Sequence, residues 1–280
     1  MAEAKKSRRV VVFITGYGPF GTVKVNPSAS IAKLVGKDLE RHPAVVAVHA
    51  ELSLAVSIKA VGAYFDQLEG EIEKTIAEHG SDVKILLCHI GVHPDTTGLI
   101  RAEVQGYNEL YASLPDVDGV VLNHDPILPS DGSIDVTLES WFGKAGTPQL
   151  QDLESLIGQL NTASKSTAGF ASAATPLPHE VAADQSKEGE MVMPAFQPPH
   201  WSISRDAGRY LCNCALYRAL RLQKKHPNTV YGIFIHVVDP TKGKMEENGE
   251  RVVAYNPTVM SQSEEVKKFV DGLLTMMTAA

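Results

Sequence analysis

The chain has 280 residues, 44% of them hydrophobic and 21% charged, which excludes a disordered or fibrous polypeptide and suffices for a large core without disulfides. A formal charge of −7 argues against nucleic acid or an anionic membrane surface as partner, and no apolar stretch approaches the roughly 20 residues of a membrane span. Three cysteines, Cys88, Cys212 and Cys214, make no disulfide framework and point to a reducing, cytoplasmic compartment.

In chain order, Arg9 to Thr15 is a β-branched run stopped by a Gly/Pro-rich turn. It follows a basic start but is too short for a signal-peptide core, and reads as a first strand. A helix follows Asn26-Pro27-Ser28, with Ile31, Leu34, Val35 and Leu39 at helical spacing and Ser28 or Ser30 as its cap. Ala44 to Leu54 predicts a strand, Ser57 to His79 an amphipathic helix and Val83 to Val92 a strand with almost no polar interruption. Leu99 to Leu110 fits an extended segment or a short helix, and Leu153 to Leu160 has a helical pattern.

From about 164 to 199 the composition turns to Ala, Ser, Thr, Pro and Gln, which predicts a loop insertion that is mobile at the surface. Order returns at Trp201 to Ser204, followed by a helix from Gly208 to Lys225, a strand Val230 to Val238 and a last helix from Ser263 to Met277. Strands alternating with helices, and apolar on both faces, predict a single α/β domain over 1–280. Its open, twisted sheet is mostly parallel, or mixed, and flanked by helices on both faces, as in phosphorylase-like and hydrolase-like folds.

Gly16-Tyr17-Gly18-Pro19-Phe20-Gly21 matches the G-x-G-x-x-G dinucleotide pattern in letters. Its setting does not: a phosphate cradle needs its last glycine in the opening turn of a helix, whereas 22–27 intervenes here and Pro19 lacks an N–H. A nucleotide-binding or nucleoside-phosphorylase-like protein using Gly16 to Gly21 is therefore the alternative reading, beside a glycine-rich turn with no ligand.

Cys212 falls in the first turn or two of a predicted helix, where unpaired N–H groups and the positive dipole end favour a thiolate. Cys214, two residues on and about 200° around the helix, cannot face the same site. His236 ends a predicted buried strand, at the sheet edge where open α/β folds place their sites, and suits a general base and acid. Both cysteines as small core residues and His236 as a satisfied core histidine are the plain alternatives. Cys88, His89, His93, Cys212 and Cys214 have neither C-x-x-C nor H-E-x-x-H spacing, so no metal is expected.

Three separated segments resemble pyroglutamyl peptidase I: Thr15 to Gly21 with Asn26-Pro27 following, Ser202 to Asn213 around Cys212, and Phe234 to Val237 around His236. The resemblance implies a cysteine omega-peptidase that hydrolyses the bond after an N-terminal pyroglutamyl residue. It implies a catalytic triad of Glu103, Cys212 and His236, with Glu109 the nearest competitor for the acid. It also implies that Tyr17 and Phe20 sandwich the lactam ring, and that Asn26, Val92, Leu114, Tyr210 and Leu211 fall on pocket positions. Gly18 stands where many relatives have Glu, and Ser113 where bacterial members place an Arg. Cofactors are expected to be none, the partners N-terminally pyroglutamylated peptides rather than nucleic acid or membrane, and assembly as a homo-oligomer is left open.

Overall fold

Val10–Tyr17 forms strand β1 with every residue buried, so the sheet must be covered on both faces here. The computed structural model describes residues 9–21, 23–80, 82–93, 99–131, 150–171, 201–240, 244–245, 251–252 and 258–279. Helix α1 (Pro27–Leu39) starts with Pro at its first position. Its cap is Asn26 rather than the expected Ser28 or Ser30, because the Asn26 carboxamide oxygen accepts the Ser28 N–H. Strand β2 (Val45–Leu54) is half wet, as befits an edge, and helix α2 (Ile58–His79) is capped by Ser57. Strand β3 (Lys84–His93) is again almost wholly buried.

The ambiguous stretch after β3 is extended where it matters: strand β4 covers Ile100–Glu103, and the short strands β5 (Leu110–Tyr111) and β6 (Asn123–Asp125) pair with one another. Helix α3 (Leu150–Ala171) runs past the expected end at Leu160 and takes the first residues of the expected 164–199 loop. The rest of that stretch, to residue 200, lies outside the described residues. Strand β7 (Trp201–Ser204), helix α4 (Leu211–Lys225) and strand β8 (Val230–Val238) follow, then the two-residue strands β9 (Lys244–Met245) and β10 (Arg251–Val252) and helix α5 (Val259–Ala279). Helix α4 begins at Leu211, three residues later than Gly208, because Gly208 at φ 77° sits in the left-handed region as the chain turns in. Among the described helices none is long and apolar enough to cross a membrane.

The main sheet has the order β2-β1-β3-β8-β4-β7, parallel throughout except where β4 runs antiparallel to β8. Helix α1 packs with α5, and α2 with α4. Residues opposite one another in the register share a face. Thr15 lies opposite His89, His89 opposite Phe234, Gly91 opposite His236, and Arg101 and Glu103 opposite His236 and Phe234. The α2 residue Phe65 packs on His89, its ring centroid 5.1 Å away, so this polar row lies on the α2/α4 face. The antiparallel pairing of β4 with β8 is therefore what carries a carboxylate into the row that ends in His236.

Candidate active site

Cys212 is the second residue of α4, where the N–H groups of the opening turn have no helical acceptor. The turn before it is braced by Asp206, whose carboxylate accepts the Gly208 N–H at 3.1 Å and the Arg209 guanidinium at 2.9 Å. Cys212 is half-buried, while Cys214 is wholly buried on another side of the helix. Burial pushes the thiols of Cys214 and Cys88 up to about 12.

His236 is 2% exposed and Glu103 is fully buried, with Nδ1 of the imidazole 2.7 Å from the carboxylate Oε1. That engagement leaves Nε2 unengaged by Glu103, and the Cys212 sulfur lies close by, against Gly91, which is opposite His236 in the sheet. The other Glu103 oxygen has no protein partner, so the His236 ring is what balances this buried charge. Burial works to lower the His236 pKa, but the Cys212 sulfur and the Glu103 carboxylate outweigh it and hold the imidazole at about 9.

Three neighbours fix that ring, and the sequence alone did not single them out for this. Phe234 packs edge-on at 4.9 Å and His93 at 5.0 Å between centroids. His93 is held neutral at neutral pH, its pKa lowered to about 4 by burial and by the nearby cations of His236 and Arg101. Gly91, opposite His236 in the sheet, has no room for a side chain, since a Cβ there would lie 2.6 Å from Phe234 Cζ and 3.2 Å from Cys212 Sγ. Period-two alternation along β3 puts Gly91 and His93 on one face, but only the strand order places β8 and β4 beside them.

The expected pocket residues separate into two groups. Phe20, Leu114 and Tyr210 line a cavity of about 630 Å³ with Tyr111, Val117 and Arg209. Its 111–117 wall is held by Asp116, which accepts N–H groups from Ile58 and Val120. Leu114 is 68% exposed at this wall. Tyr17, the last residue of β1, is buried away from that wall but beside the candidate catalytic groups, its ring 6.2 Å from Phe234 and close enough to Cys212 for the sulfur to add to the rise of its pKa that burial causes. Leu211 is also buried in the core, and Val92 lies within the sheet opposite Val237. Asn26 braces the first loop, donating to Gly18 O at 3.0 Å. Glu109, the competing acid, is bound to Arg209 and His124 rather than to His236.

Three N–H groups of the glycine-rich loop are spent internally. Tyr17 N–H goes to Ser28 Oγ, Gly18 N–H to Leu54 O and Phe20 N–H to Val23 O. A Cβ on Gly16 would lie 2.5 Å from Ala29 Cα, so that glycine serves close packing against α1. These donors are not available to a phosphate, which removes the basis of the nucleotide reading. Among the described residues no group of three His, Cys, Asp or Glu side chains is placed to hold a metal ion.

A helix-start thiol, a buried imidazole and a carboxylate side by side on an α/β sheet are the groups that cysteine hydrolases use. Residues 10–135 match the family model described as pyroglutamyl peptidase. The pyrrolidone-carboxylate peptidase of Pyrococcus furiosus is 27% identical over 226 residues, 81% of this chain and 79% of that protein. Two solved structures share the fold. The pyrrolidone carboxyl peptidase from Thermococcus litoralis has a TM-score of 0.59 at 19% identity, covering 94% of this chain and 93% of that one. The pyroglutamyl peptidase I from Bacillus amyloliquefaciens has a TM-score of 0.58 at 16% identity, covering 95% of each. The chain is thus similar to pyroglutamyl peptidases, over residues 10–135 by the family model and over 226 residues by the Pyrococcus furiosus relative.

Proposed function

We propose that this chain is a cysteine peptidase that removes an N-terminal pyroglutamyl residue from peptides, with Cys212 as nucleophile, His236 as acid and base, and Glu103 as the group that orients His236. The observation that carries this reading is the buried 2.7 Å contact between His236 Nδ1 and Glu103, with the Cys212 sulfur against Gly91, the residue opposite His236 in the sheet. In the first half-reaction the thiolate attacks the pyroglutamyl carbonyl carbon. The C–N bond then breaks as the His236 imidazolium gives its proton to the departing amine. The now neutral imidazole takes a proton from water, the resulting hydroxide attacks the thioester, and pyroglutamate leaves while Cys212 returns to the thiolate and His236 to the imidazolium. The free N–H groups at the start of α4 suit the oxyanion of both tetrahedral intermediates. No step calls for a cofactor. We read residues 1–280 as one peptidase domain acting in the cytoplasm.

The cavity beside Tyr210 supports the choice of acyl group. Phe20, Tyr111, Leu114 and Val117 offer apolar surface to an uncharged lactam, and an N-terminal glutamine or glutamate would have to strip water from an ammonium to enter. Coumarin amides of pyroglutamate, proline and glutamine test this directly. The pyroglutamyl amide is expected to be cleaved at least about a hundredfold faster in kcat/KM than the glutaminyl amide. Phe20→Ala should lower kcat/KM for the pyroglutamyl amide by roughly one to three orders of magnitude through lost apolar contact. Equal cleavage of the glutaminyl amide, or an unchanged Phe20→Ala enzyme, would overturn the assignment of this cavity to the lactam.

A further inference from the structure

The segment leaving β4 is clipped to α4 by residues on either side of Cys212. Asn213, fully buried and next to the thiol, accepts the Tyr107 N–H at 2.8 Å and donates to Tyr107 O and Glu109 O, each at 2.9 Å. Three residues before the thiol, Arg209 lays its guanidinium over the Tyr107 ring at 3.6 Å and donates to the Glu109 carboxylate at 3.2 Å. Between Glu103 and this turn the chain lies against α4, where a Cβ on Gly106 would sit 3.0 Å from Tyr217 N and Cα.

The clip demands an amide at 213. A carboxylate has the acceptor but neither donor, an alanine has none of the three, and a hydroxyl is too short to reach both carbonyls. Removing it strands two backbone carbonyls and one N–H inside the protein, and frees the first turn of α4 to slide relative to β4 and β8. Those two strands hold Glu103 and His236, so the thiol-to-imidazole distance depends on this one side chain. We infer that Asn213 is the positioning residue that sets Cys212 against the His236–Glu103 pair, by tying the start of α4 to the turn that follows the acid strand. The inference rests on the proposed role of Cys212.

Asn213→Ala and the isosteric Asn213→Asp test it, with kcat counted per folded molecule by near-ultraviolet dichroism and by the thiol that reacts with iodoacetamide. Misplacement by a fraction of an ångström to an ångström is expected to lower kcat on the pyroglutamyl amide 10- to 100-fold with KM changed less than about threefold. In Asn213→Ala the alkaline fall of the rate, set by His236, should move below its wild-type position, because the ring loses contact with the sulfur that helps hold its proton; Asn213→Asp adds a negative charge beside the thiol and is read by kcat alone. The groups facing that ring are Cys212, Glu103, His93 and Arg101, and the last three stay in place in these variants. Asn213→Asp keeps the acceptor to Tyr107 N–H and so decides the matter if Asn213→Ala yields too little folded protein. A purely structural residue would lower the folded fraction and leave kcat per folded molecule and the alkaline limb where they were, which would overturn the inference. If the wild-type chain does not cleave the amide at all, the functional reading fails instead. The rate of Cys212 alkylation at neutral pH, wild type against variants, then still reports on positioning: an unchanged rate overturns it.

Discussion

Cys212→Ala is expected to abolish hydrolysis of a pyroglutamyl amide, a loss of roughly five orders of magnitude or more, while the protein keeps its dichroism and its melting temperature within a few degrees. The side chain is half-buried at the second position of α4, so its loss opens little cavity, and no other described thiol can replace it. Cys214 and Cys88 are fully buried and carry thiols that burial pushes up to about 12, so they stay protonated and enclosed at neutral pH. Cys214→Ala should keep the activity and lose about 1 kcal/mol of stability from the small cavity. Iodoacetamide at neutral pH should label Cys212 first, and peptide mapping of the labelled protein checks the order. Activity that followed Cys214 instead of Cys212 would sink the assignment.

The second large effect belongs to Glu103. Its carboxylate is fully buried and bonds only His236, so Glu103→Gln keeps the shape but removes the charge that holds the imidazolium. We expect kcat to fall by roughly two to four orders of magnitude, as in other triads whose acid is made neutral. The sign of the pH effect follows from His236. Its folded pKa of about 9 lies above the ordinary imidazole value near 6.5, so the stabilisation from the ion pairs is complete below about 6.5 and lost as pH rises through 9. Activity needs the same proton for the leaving amine, so kcat/KM in the wild type should hold through neutral pH and fall above about 9. In Glu103→Gln that fall should begin at lower pH. A pH–rate profile of both proteins checks it, and an alkaline limb unmoved by the substitution would remove Glu103 from the site.

Most strands and helices were legible because their patterns are local. The unbroken apolar runs of β1, β3 and β8 read directly as doubly covered strands, and Val230–Val238 is placed as expected. Cys212 at a helix start and His236 at a strand end follow from the same local signals. The resemblance, rather than any pattern in the residues, singled out Glu103, because its partnership with His236 across 133 positions depends on β4 running antiparallel beside β8. Gly91 and Asn213 were silent for the same reason: one matters through a Cβ it lacks, the other through carbonyls of a turn about a hundred residues earlier. Tyr17 shows the reverse limit. The resemblance assigned it to the lactam, and the end of β1 buries its ring beside Phe234, the residue that packs on His236, rather than on the wall that Phe20 lines. The helix cap is likewise Asn26 rather than a nearby serine, since capping depends on which side chain reaches an N–H.

The most direct test of the central claim is to catch the acyl-enzyme. Wild-type protein mixed with a pyroglutamyl ester, quenched in acid within the first turnover and digested at low pH, should carry a pyroglutamyl group on the peptide that contains Cys212. Mass spectrometry should find the group there and on no other thiol, and find none in Cys212→Ala. Rapid turnover of the ester with the group on another residue, or undiminished in Cys212→Ala, would contradict the account.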